Sequence, residues 1–274
     1  MVDVLQAIVL GVIQGLTEFL PVSSSAHLRI FPELFGWGDP GAAFTAVIQI
    51  GTELAVLIFF RKDIARIAST WLRSLFKPEL RGHLDARMGW FIIIGSLPIV
   101  VLGVLLKDVI ERDFRNLYVI ATLLIVMGVV LGVADRLGRT DKEIKQITLR
   151  DAVLMGAAQA LALVPGVSRS GATLSMGRAL GYDREAATRY AFLLAIPAVV
   201  GAGLFELKDI PGTDNPYGPG ATAVATVVSF VVGYSAIAWL LRYVSTRSYT
   251  PFVLYRVVLG AATLALLATG VLTA

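Results

Sequence analysis

The sequence predicts an all-α polytopic membrane protein with an inverted-topology repeat, each half being a re-entrant helical hairpin followed by three transmembrane helices. Three observations support this fold class. The 274 residues are 56% apolar and only 16% charged, with a mean hydropathy of +0.75, whereas a soluble domain of this length carries more charge. The apolar residues fall in runs of ~17–22, the length that crosses a ~30 Å hydrocarbon core. Two further apolar regions are interrupted near their middle.

Six apolar stretches are predicted to be simple spans, and two regions are predicted to be hairpins. The hairpin regions are 1–41, broken at Pro21 to Ser25, and 151–185, broken at Pro165 to Gly171. Broken backbone is tolerated at membrane depth only where protein surrounds it or water lines it. We therefore expect each hairpin to enter and leave by the same face. The predicted spans are 42–60, 88–106, 117–134, 186–206, 220–241 and 251–272.

The loop charges predict the orientation. The segment 61–87 holds seven Lys/Arg and 135–150 holds five, whereas 107–116 holds three that are offset by three acids. Placing the basic loops in the cytoplasm requires the second hairpin to return to its own side, and it puts both termini outside. The segment from Ile64 to Phe76 is then expected to lie along the inner interface. Basic loops also account for the net charge of +4 without any nucleic-acid partner.

A similarity between two segments of the sequence supports an internal repeat within one membrane domain, 1–274. We expect repeat one over 1–136, a cytoplasmic linker over 137–150 and repeat two over 151–272. Inverted repeats built from broken helices place their binding site near the midplane, where the two tips meet. A shift of 145 residues superposes Gly11 on Gly156, Gln14 on Gln159, Leu16 on Leu161, Val22 on Val167, Ser23 on Ser168 and Ser25 on Ser170.

The first hairpin carries groups suited to hydrolysis. Gln14 and Glu18 are four apart and share one helix face, where their oxygens could hold Mg²⁺ or Ca²⁺. Beyond Pro21, the run Ser23, Ser24 and Ser25 supplies hydroxyls, and His27 follows in the first turn of the next helix. A hydroxyl nucleophile, a histidine that transfers a proton and a carboxylate are the groups that hydrolysis needs.

The second hairpin carries the features of an anion site. Arg169 lies between two serines at a predicted helix N-terminus, and flanking glycines leave the backbone N–H groups open. Phosphate is the anion that best matches this combination. The candidate catalytic residues are thus Glu18, Ser24, His27 and Arg169, with Glu18 and Gln14 as metal ligands. The candidate substrate-binding residues are Gln14, Ser23, Ser25, Ser168, Ser170, Gly171 and Thr173.

Other classes of site are excluded by residue counts. The chain has no cysteine and two histidines, so disulfides, thiolate nucleophiles and multi-histidine metal centres are absent. An unpaired arginine at membrane depth costs several kcal/mol, so a functional role is the default for Arg169. Glu53 and Arg256 are the other intramembrane charges, and they either pair with each other or line the cavity.

The motifs G-L-T-E-F-L-P-V-S-S and P-G-V-S-R-S-G-A-T resemble those of the undecaprenyl-diphosphate phosphatase family, also called bacitracin-resistance proteins, over essentially the whole chain. The resemblance implies a hydrolase of the bacterial inner membrane that converts undecaprenyl diphosphate to undecaprenyl phosphate and inorganic phosphate and so recycles the lipid carrier of cell-wall synthesis. It also implies a divalent cation and a site that opens to the outer face.

The family's site residues match this chain position by position. Its Glu-or-Gln and Glu motif falls on Gln14 and Glu18, its proposed nucleophilic serine on Ser24, its histidine on His27 and its phosphate-binding arginine on Arg169. Small departures occur at Ser25 and Ala26, where many members have Thr and Gly.

Two alternatives stay open at the level of sequence. Either Ser24 or His27 is the nucleophile, and the same inverted repeat could serve a flippase of polyprenyl phosphate. A lipid phosphatase that uses two histidines is excluded, because His83 lies in a basic cytoplasmic loop. As partners we expect the lipid substrate and the bilayer, with a homodimer left open.

Overall fold

The computed structural model describes residues 2–106, 116–138, 141–206 and 215–273. Within these ranges the regular structure consists of helices, three of them short 3₁₀ turns (Pro78–Leu80, Ile144–Gln146 and Leu161–Leu163). The α-helices are α1 (Val2–Phe19), α2 (Ser24–Leu34), α3 (Ala42–Phe59), α4 (Arg61–Phe76), α5 (Leu84–Leu105), α6 (Leu117–Leu137), α7 (Leu149–Ala160), α8 (Arg169–Ala179), α9 (Arg184–Glu206), α10 (Gly218–Val244) and α11 (Thr250–Ala268).

Four of the described helices, α5, α6, α10 and α11, are long and apolar enough to cross a membrane. A fifth candidate is the pair α3 and α4, which is bent by 70°. The helix α9 has 23 residues, but Arg184, Glu185 and Arg189 make its first turns polar. Large apolar side chains on α5, α6 and α10 are exposed, as expected for surfaces that contact lipid. The chain is therefore a polytopic helical membrane protein, as the sequence predicts.

The bend between α3 and α4 separates an apolar helix from a basic amphipathic one. The helix α4 spans the segment that the sequence predicts to lie at an interface, and it carries exposed Leu72 and Phe76. Arg189 of α9 pairs with Asp63 of α4 at 2.6 Å. This ion pair links the start of α4 to α9. The segment 107–116, which the charge pattern places opposite the basic loops, lies largely outside the described residues.

Both regions with an interrupted apolar run form a helix, a turn and a second helix. The helix α1 ends before Pro21, and the segment after α7 turns at Pro165. Ser23 and Ser168 adopt φ values of 74° and 72°, and among the described residues they are the two non-glycine positions with positive φ. The helices that follow, α2 and α8, each contain 11 residues. The predicted breaks are thus confirmed.

The first helix of each hairpin packs closely on a long helix through a glycine. In α1, a Cβ added at Gly11 would meet the backbone of Ala225 in α10. In α7, a Cβ added at Gly156 would meet the backbone of Gly95 in α5. Small residues let membrane helices approach in this way. The helices α6 and α11 pack on each other, and both reach the turns of the hairpins.

A buried ionic network, which we call the Asp135 network, holds the far end of the second hairpin. Asp135, 5% exposed, accepts from Arg178 Nε at 3.1 Å and from Arg184 Nε at 2.7 Å. It also accepts from the backbone N–H of Tyr249 at 3.1 Å. These bonds join α6, α8, α9 and the start of α11. The second hairpin is therefore anchored at its base, away from its turn.

Candidate active site

The carboxylate of Glu18 joins the turns of the two hairpins. Its Oε2 accepts from Ser24 Oγ at 2.7 Å and from Gln14 Nε2 at 3.1 Å, and its Oε1 pairs with Nη2 of Arg169. The Glu18 side chain is 8% exposed and that of Arg169 is 20% exposed. Each charge is thus largely withdrawn from water but compensated by the other. The predicted meeting of the two tips, and the shared face of Gln14 and Glu18, are confirmed.

Ser24 and Arg169 reach Glu18 from equivalent places. Each is the first residue of the helix that follows its turn, and each comes directly after a serine with positive φ. A non-glycine residue in this region of φ is uncommon and costs of order 1–3 kcal/mol. Such strain is found where a side chain must be held in one direction, and here it aims the next side chain at the carboxylate.

The two turns are stabilised differently. In the second turn, Ser168 Oγ accepts from the backbone N–H of Gly171 at 3.1 Å and caps α8. In the first turn, the Ser23 side chain does not cap α2, and the Ser23 hydroxyl lies 3.2 Å from that of Ser25. Ser170 Oγ donates to the carbonyl of Leu20 at 3.1 Å and so links one turn to the other.

The hydroxyl of Thr173 is used within α8 rather than in the cleft. Its hydroxyl donates to the carbonyl of Arg169 at 2.9 Å, one turn back along α8, and its side chain is 1% exposed. This bond ties the first turn of α8 together. Gly171 lies in the same turn, and a Cβ there would come within 2.7 Å of Arg256 Nη1, so the lack of a side chain admits this guanidinium.

Arg256 of α11 binds the main chain of both turns. Its side chain is fully buried. Nη1 donates to the carbonyl of Pro21 at 3.2 Å, and Nη2 donates to those of Gly166 at 2.8 Å and Val167 at 3.0 Å. Nε donates to the carbonyl of Leu124 in α6 at 3.2 Å. Of the two alternatives that the sequence left open, pairing with Glu53 is not observed, because the guanidinium is directed to carbonyl groups.

His27 is held by both ring nitrogens. Nδ1 lies 2.7 Å from the carbonyl oxygen of Ser23, and Nε2 lies 2.7 Å from the hydroxyl of Tyr255 in α11. The imidazole is 2% exposed and stacks on the Tyr255 ring with centroids 5.5 Å apart. Within this arrangement the hydrogen-bond acceptor for the Ser24 hydroxyl is Glu18 rather than His27.

A cleft opens beside the Glu18–Arg169 pair. Its polar side includes Thr52 and Glu53 of α3, and Thr52 Oγ1 accepts from Gln14 Nε2 at 3.3 Å. Its other side is apolar and faces α9. The cleft therefore combines a charged end with a hydrocarbon-like wall, which is the division expected for an amphiphilic ligand. The apolar lining consists of Phe19, Val56, Ala191, Phe192, Ala195 and Val199.

The donors around the cleft fit a cation that is shared with substrate. Among the described residues no group of three or more His, Asp or Glu side chains could hold a metal. Mg²⁺, however, commonly binds through one or two carboxylates, several waters and the substrate's phosphate oxygens. Glu18 and Glu53 line the same cleft, and Gln14 and Gln49 each lie one turn from them. This oxygen-rich set suits Mg²⁺ or Ca²⁺ and would suit a soft metal poorly.

Sequence reasoning missed two contributors to the site, Tyr255 and Thr52. Tyr255 carries no motif, and its contact with His27 spans 228 positions of the chain. Thr52 belongs to a stretch that reads as a simple span. Its neighbour Glu53 is expected from the sequence either to pair with Arg256 or to line the cavity, and it lines the cleft. Gln49 and Glu53 repeat the four-residue spacing of Gln14 and Glu18. That repeated spacing is a signal that could have placed α3 beside the site.

Comparison with known proteins decides the family. Residues 7–262 match the family described as "Bacitracin resistance protein BacA", which covers most of the chain. The chain belongs to the BacA family. It is 82% identical over 274 residues to the "Undecaprenyl-diphosphatase" of Nocardioides sp. (strain ATCC BAA-499 / JS614), and the alignment covers 100% of both chains.

More distant relatives of this BacA chain carry related names. The "Undecaprenyl-diphosphatase" of Micrococcus luteus is 58% identical over 98% of this chain and 99% of its own length. The "Undecaprenyl-diphosphatase 2" of Agrobacterium fabrum is 58% identical over 97% of this chain and 96% of its own length. The family resemblance inferred from the two motifs is confirmed.

Proposed function

We propose that this chain hydrolyses undecaprenyl diphosphate to undecaprenyl phosphate and inorganic phosphate, and that it thereby contributes to bacitracin resistance. The observation that carries the proposal is the bonding of Ser24 and Arg169 to one buried carboxylate, Glu18. A hydroxyl, an acceptor for its proton and a guanidinium for the phosphate lie together in a cleft with an apolar wall. The names of the full-length relatives support the same substrate.

Ser24 is the nucleophile in the mechanism that the geometry favours. The terminal phosphate of the substrate competes with Glu18 for the Arg169 guanidinium, which can bind two phosphate oxygens. Ser24 Oγ then attacks the terminal phosphorus, the phosphoanhydride bond breaks, and its electron pair leaves with undecaprenyl phosphate. Glu18 Oε2, 2.7 Å from Oγ, takes the serine proton.

Water completes the cycle at the same atoms. A water molecule attacks the phosphoserine, its proton passes to a carboxylate or phosphate oxygen, and the P–Oγ bond breaks to release inorganic phosphate. The proton held by Glu18 returns to Ser24 Oγ. Arg169 and the N–H groups at the start of α8 stabilise the charge on the phosphoryl oxygens in both steps. His27 is the alternative nucleophile, but its Nε2 is occupied by Tyr255.

A divalent cation is proposed as the cofactor, held by Glu18 with Gln14, and with Glu53 across the cleft. When bound, Mg²⁺ or Ca²⁺ would neutralise phosphate charge and polarise the phosphorus–oxygen bonds. The support is the number of oxygen donors that line one cleft.

The polyprenyl tail is proposed to leave the site along the α9 side of the cleft. Ala191, Ala195 and Val199 line that side and the Glu18–Arg169 pair lines the other, so a tail there stays continuous with the diphosphate. Replacement of Ala195 by Phe should raise KM for a C55 substrate several-fold and change KM for a C15 prenyl diphosphate less. The matched control is Val119→Phe, in a separate apolar groove beside α6; an equal effect of both variants would contradict the assignment.

The inverted repeat is proposed on the basis of three equivalences at an offset of 145 residues. Ser23 and Ser168 share a positive φ, Ser24 and Arg169 bond to Glu18, and Gly11 and Gly156 pack on long helices. With the basic loops inside, both termini would lie outside. From the family resemblance, we propose that the site opens to the outer face of the bacterial inner membrane. Homodimer formation is a separate proposal that awaits a measurement of mass in detergent.

Transport of undecaprenyl phosphate by the same repeat is the second candidate function. It is favoured by the convergence of two broken helices on one anion site, an arrangement typical of transporters. Ser24→Ala distinguishes the functions in vesicles, because a flippase needs Arg169 and the N–H groups but not the hydroxyl. Flipping that survives in Ser24→Ala without phosphate release would favour transport as an independent activity.

Phosphate release by purified protein tests the main proposal. We expect cation-dependent release from undecaprenyl diphosphate in detergent, and its loss in Arg169→Ala. Arg150→Ala is the matched control, because Arg150 is exposed at the start of α7, the helix that precedes the second turn. Absence of release from folded wild-type protein, or full activity of Arg169→Ala, would overturn the proposal.

A further inference from the structure

The first turn depends on contacts from outside itself. Ser23 is held at φ 74°, yet its side chain does not cap α2, whereas Ser168 at the equivalent place caps α8 through Gly171. What restrains Ser23 is its carbonyl group, which accepts from the backbone N–H of His27 at 3.3 Å and from its ring Nδ1 at 2.7 Å. The imidazole therefore fixes the strained residue that precedes Ser24.

The hydrogen bonds determine the state of the imidazole. A carbonyl oxygen can only accept, so Nδ1 carries a proton and donates to Ser23. In a neutral ring Nε2 then has a lone pair, and the Tyr255 hydroxyl, 2.7 Å away, donates to it. Ring stacking with Tyr255 at 5.5 Å and with Phe31 at 5.6 Å holds the same orientation. The Ser23 carbonyl thus selects the tautomer, and Tyr255 completes the hydrogen bonding of Nε2 and holds the direction of the ring.

We infer that Tyr255 is a positioning residue of this enzyme, which acts through His27 to hold the Ser23 turn and aim Ser24 at Glu18 and the substrate. The chain of contacts runs from Tyr255 OH to His27 Nε2, from Nδ1 to the Ser23 carbonyl, and from the next residue, Ser24, to Glu18 Oε2. Tyr255 is adjacent to Arg256, which binds the carbonyl of Pro21 in the same turn. One turn of α11 therefore fixes the first hairpin at two points. The inference rests on the proposed role of Ser24 in hydrolysis.

Tyr255→Phe is the test, because it removes one hydroxyl and keeps the ring that stacks on His27. Misplacement of a reacting group by about 1 Å can cost about a hundredfold in rate. We expect the smaller displacement here to lower kcat about tenfold, with KM for undecaprenyl diphosphate within about twofold of wild type. Tyr234→Phe is the matched control, since Tyr234 lies in α10 with 36% exposure against 42% for Tyr255.

Nitrogen NMR of protein labelled with ¹⁵N-histidine reads the contact itself, since the chain has two histidines. His83→Asn assigns the signals and preserves the cap on α5, because the Asn side chain can accept from Asp85 N as His83 does. We expect His27 to be protonated on Nδ1 and its Nε2 signal to shift in Tyr255→Phe but not in Tyr234→Phe.

The outcomes distinguish failure of the inference about Tyr255 from failure of the proposed phosphatase function. A His27 ring protonated on Nε2 in wild type, or a Tyr255→Phe protein with the kcat of Tyr234→Phe, would overturn the inference. If Tyr255→Phe lowered kcat and thermal stability but did not shift the Nε2 signal of His27, the inference would also be overturned. The role of Tyr255 would then be one of packing. If wild type released no phosphate, the proposed function would fail, and the nitrogen signals would still report whether Tyr255 binds His27.

Discussion

Replacement of Arg256 by Met should loosen both turns at once. The side chain is fully buried and donates to Pro21 of the first turn and to Gly166 and Val167 of the second. These three carbonyls lie outside the helices, so methionine leaves each of them without its charged donor. Removal of a hydrogen-bond partner from a buried group costs about 1–3 kcal/mol, which sums to about 3–9 kcal/mol for three groups.

Two effects reduce this sum. The variant no longer has to remove a guanidinium from water, and the flexible turns can partly relax around the smaller side chain. We therefore expect a net loss near the lower end of that range, about 3 kcal/mol. For a chain of this size 1 kcal/mol corresponds to roughly 2–4 °C, so the thermal midpoint in detergent should fall by roughly 6–12 °C.

The assay is thermal unfolding in detergent followed by phosphate release at a temperature where the variant is folded. Arg256→Lys should fall between wild type and Met, because an ammonium has three donors against the five of a guanidinium. Arg150→Met on the exposed face of α7 serves as the control. A wild-type midpoint and wild-type turnover in Arg256→Met would refute the view that this residue holds the two turns together.

Three further predictions follow from the site and its supports. Ser24→Ala should lower kcat by roughly a thousandfold or more, while His27→Ala retains more activity; the reverse order in a phosphate-release assay would make His27 the nucleophile. Gly171→Ala would place a methyl group 2.7 Å from Arg256 Nη1, and such overpacking should lower stability by about 1–3 kcal/mol. An unchanged thermal midpoint would contradict the close approach of Arg256 to Gly171. Asp135→Ala removes the carboxylate that binds both Arg178 and Arg184 and should cost about 3–5 kcal/mol; an unchanged melt would show that the Asp135 network contributes little.

The elements that the sequence predicted well are those with local signals. The two breaks follow from Pro21 and Pro165, and the shared direction of Gln14 and Glu18 follows from their spacing of four, which the 3.1 Å bond between them confirms. The helix α4 spans the segment from Ile64 to Phe76, whose apolar and basic residues alternate at helical spacing. In each case the physical cause lies within one or two helical turns of the residue concerned.

The contacts that the sequence could not predict are those between distant segments that carry no pattern. Arg256 binds backbone carbonyls. Because every residue has a backbone carbonyl, the residues that accept from Arg256 cannot be recognised by their type. Pro21 lies 235 positions away from Arg256. The same holds for Tyr255 and His27, since an isolated tyrosine in an apolar helix looks like any interfacial aromatic residue. Charge alone suggested Glu53 as a partner for Arg256, and the structure gives carbonyl dipoles instead.

The hydrogen bonds from Arg256 to both turns have a consequence for the order in which the protein assembles in the membrane. Both hairpins precede α11 in the chain and are synthesised first, so their turns enter the bilayer while the carbonyls of Pro21, Gly166 and Val167 still lack the guanidinium that satisfies them. Unsatisfied carbonyls are costly in hydrocarbon, and the hairpins must stay in contact with water or the insertion machinery until α11 arrives. Insertion of that helix is then the event that closes the active site, and catalytic competence appears at the end of membrane assembly.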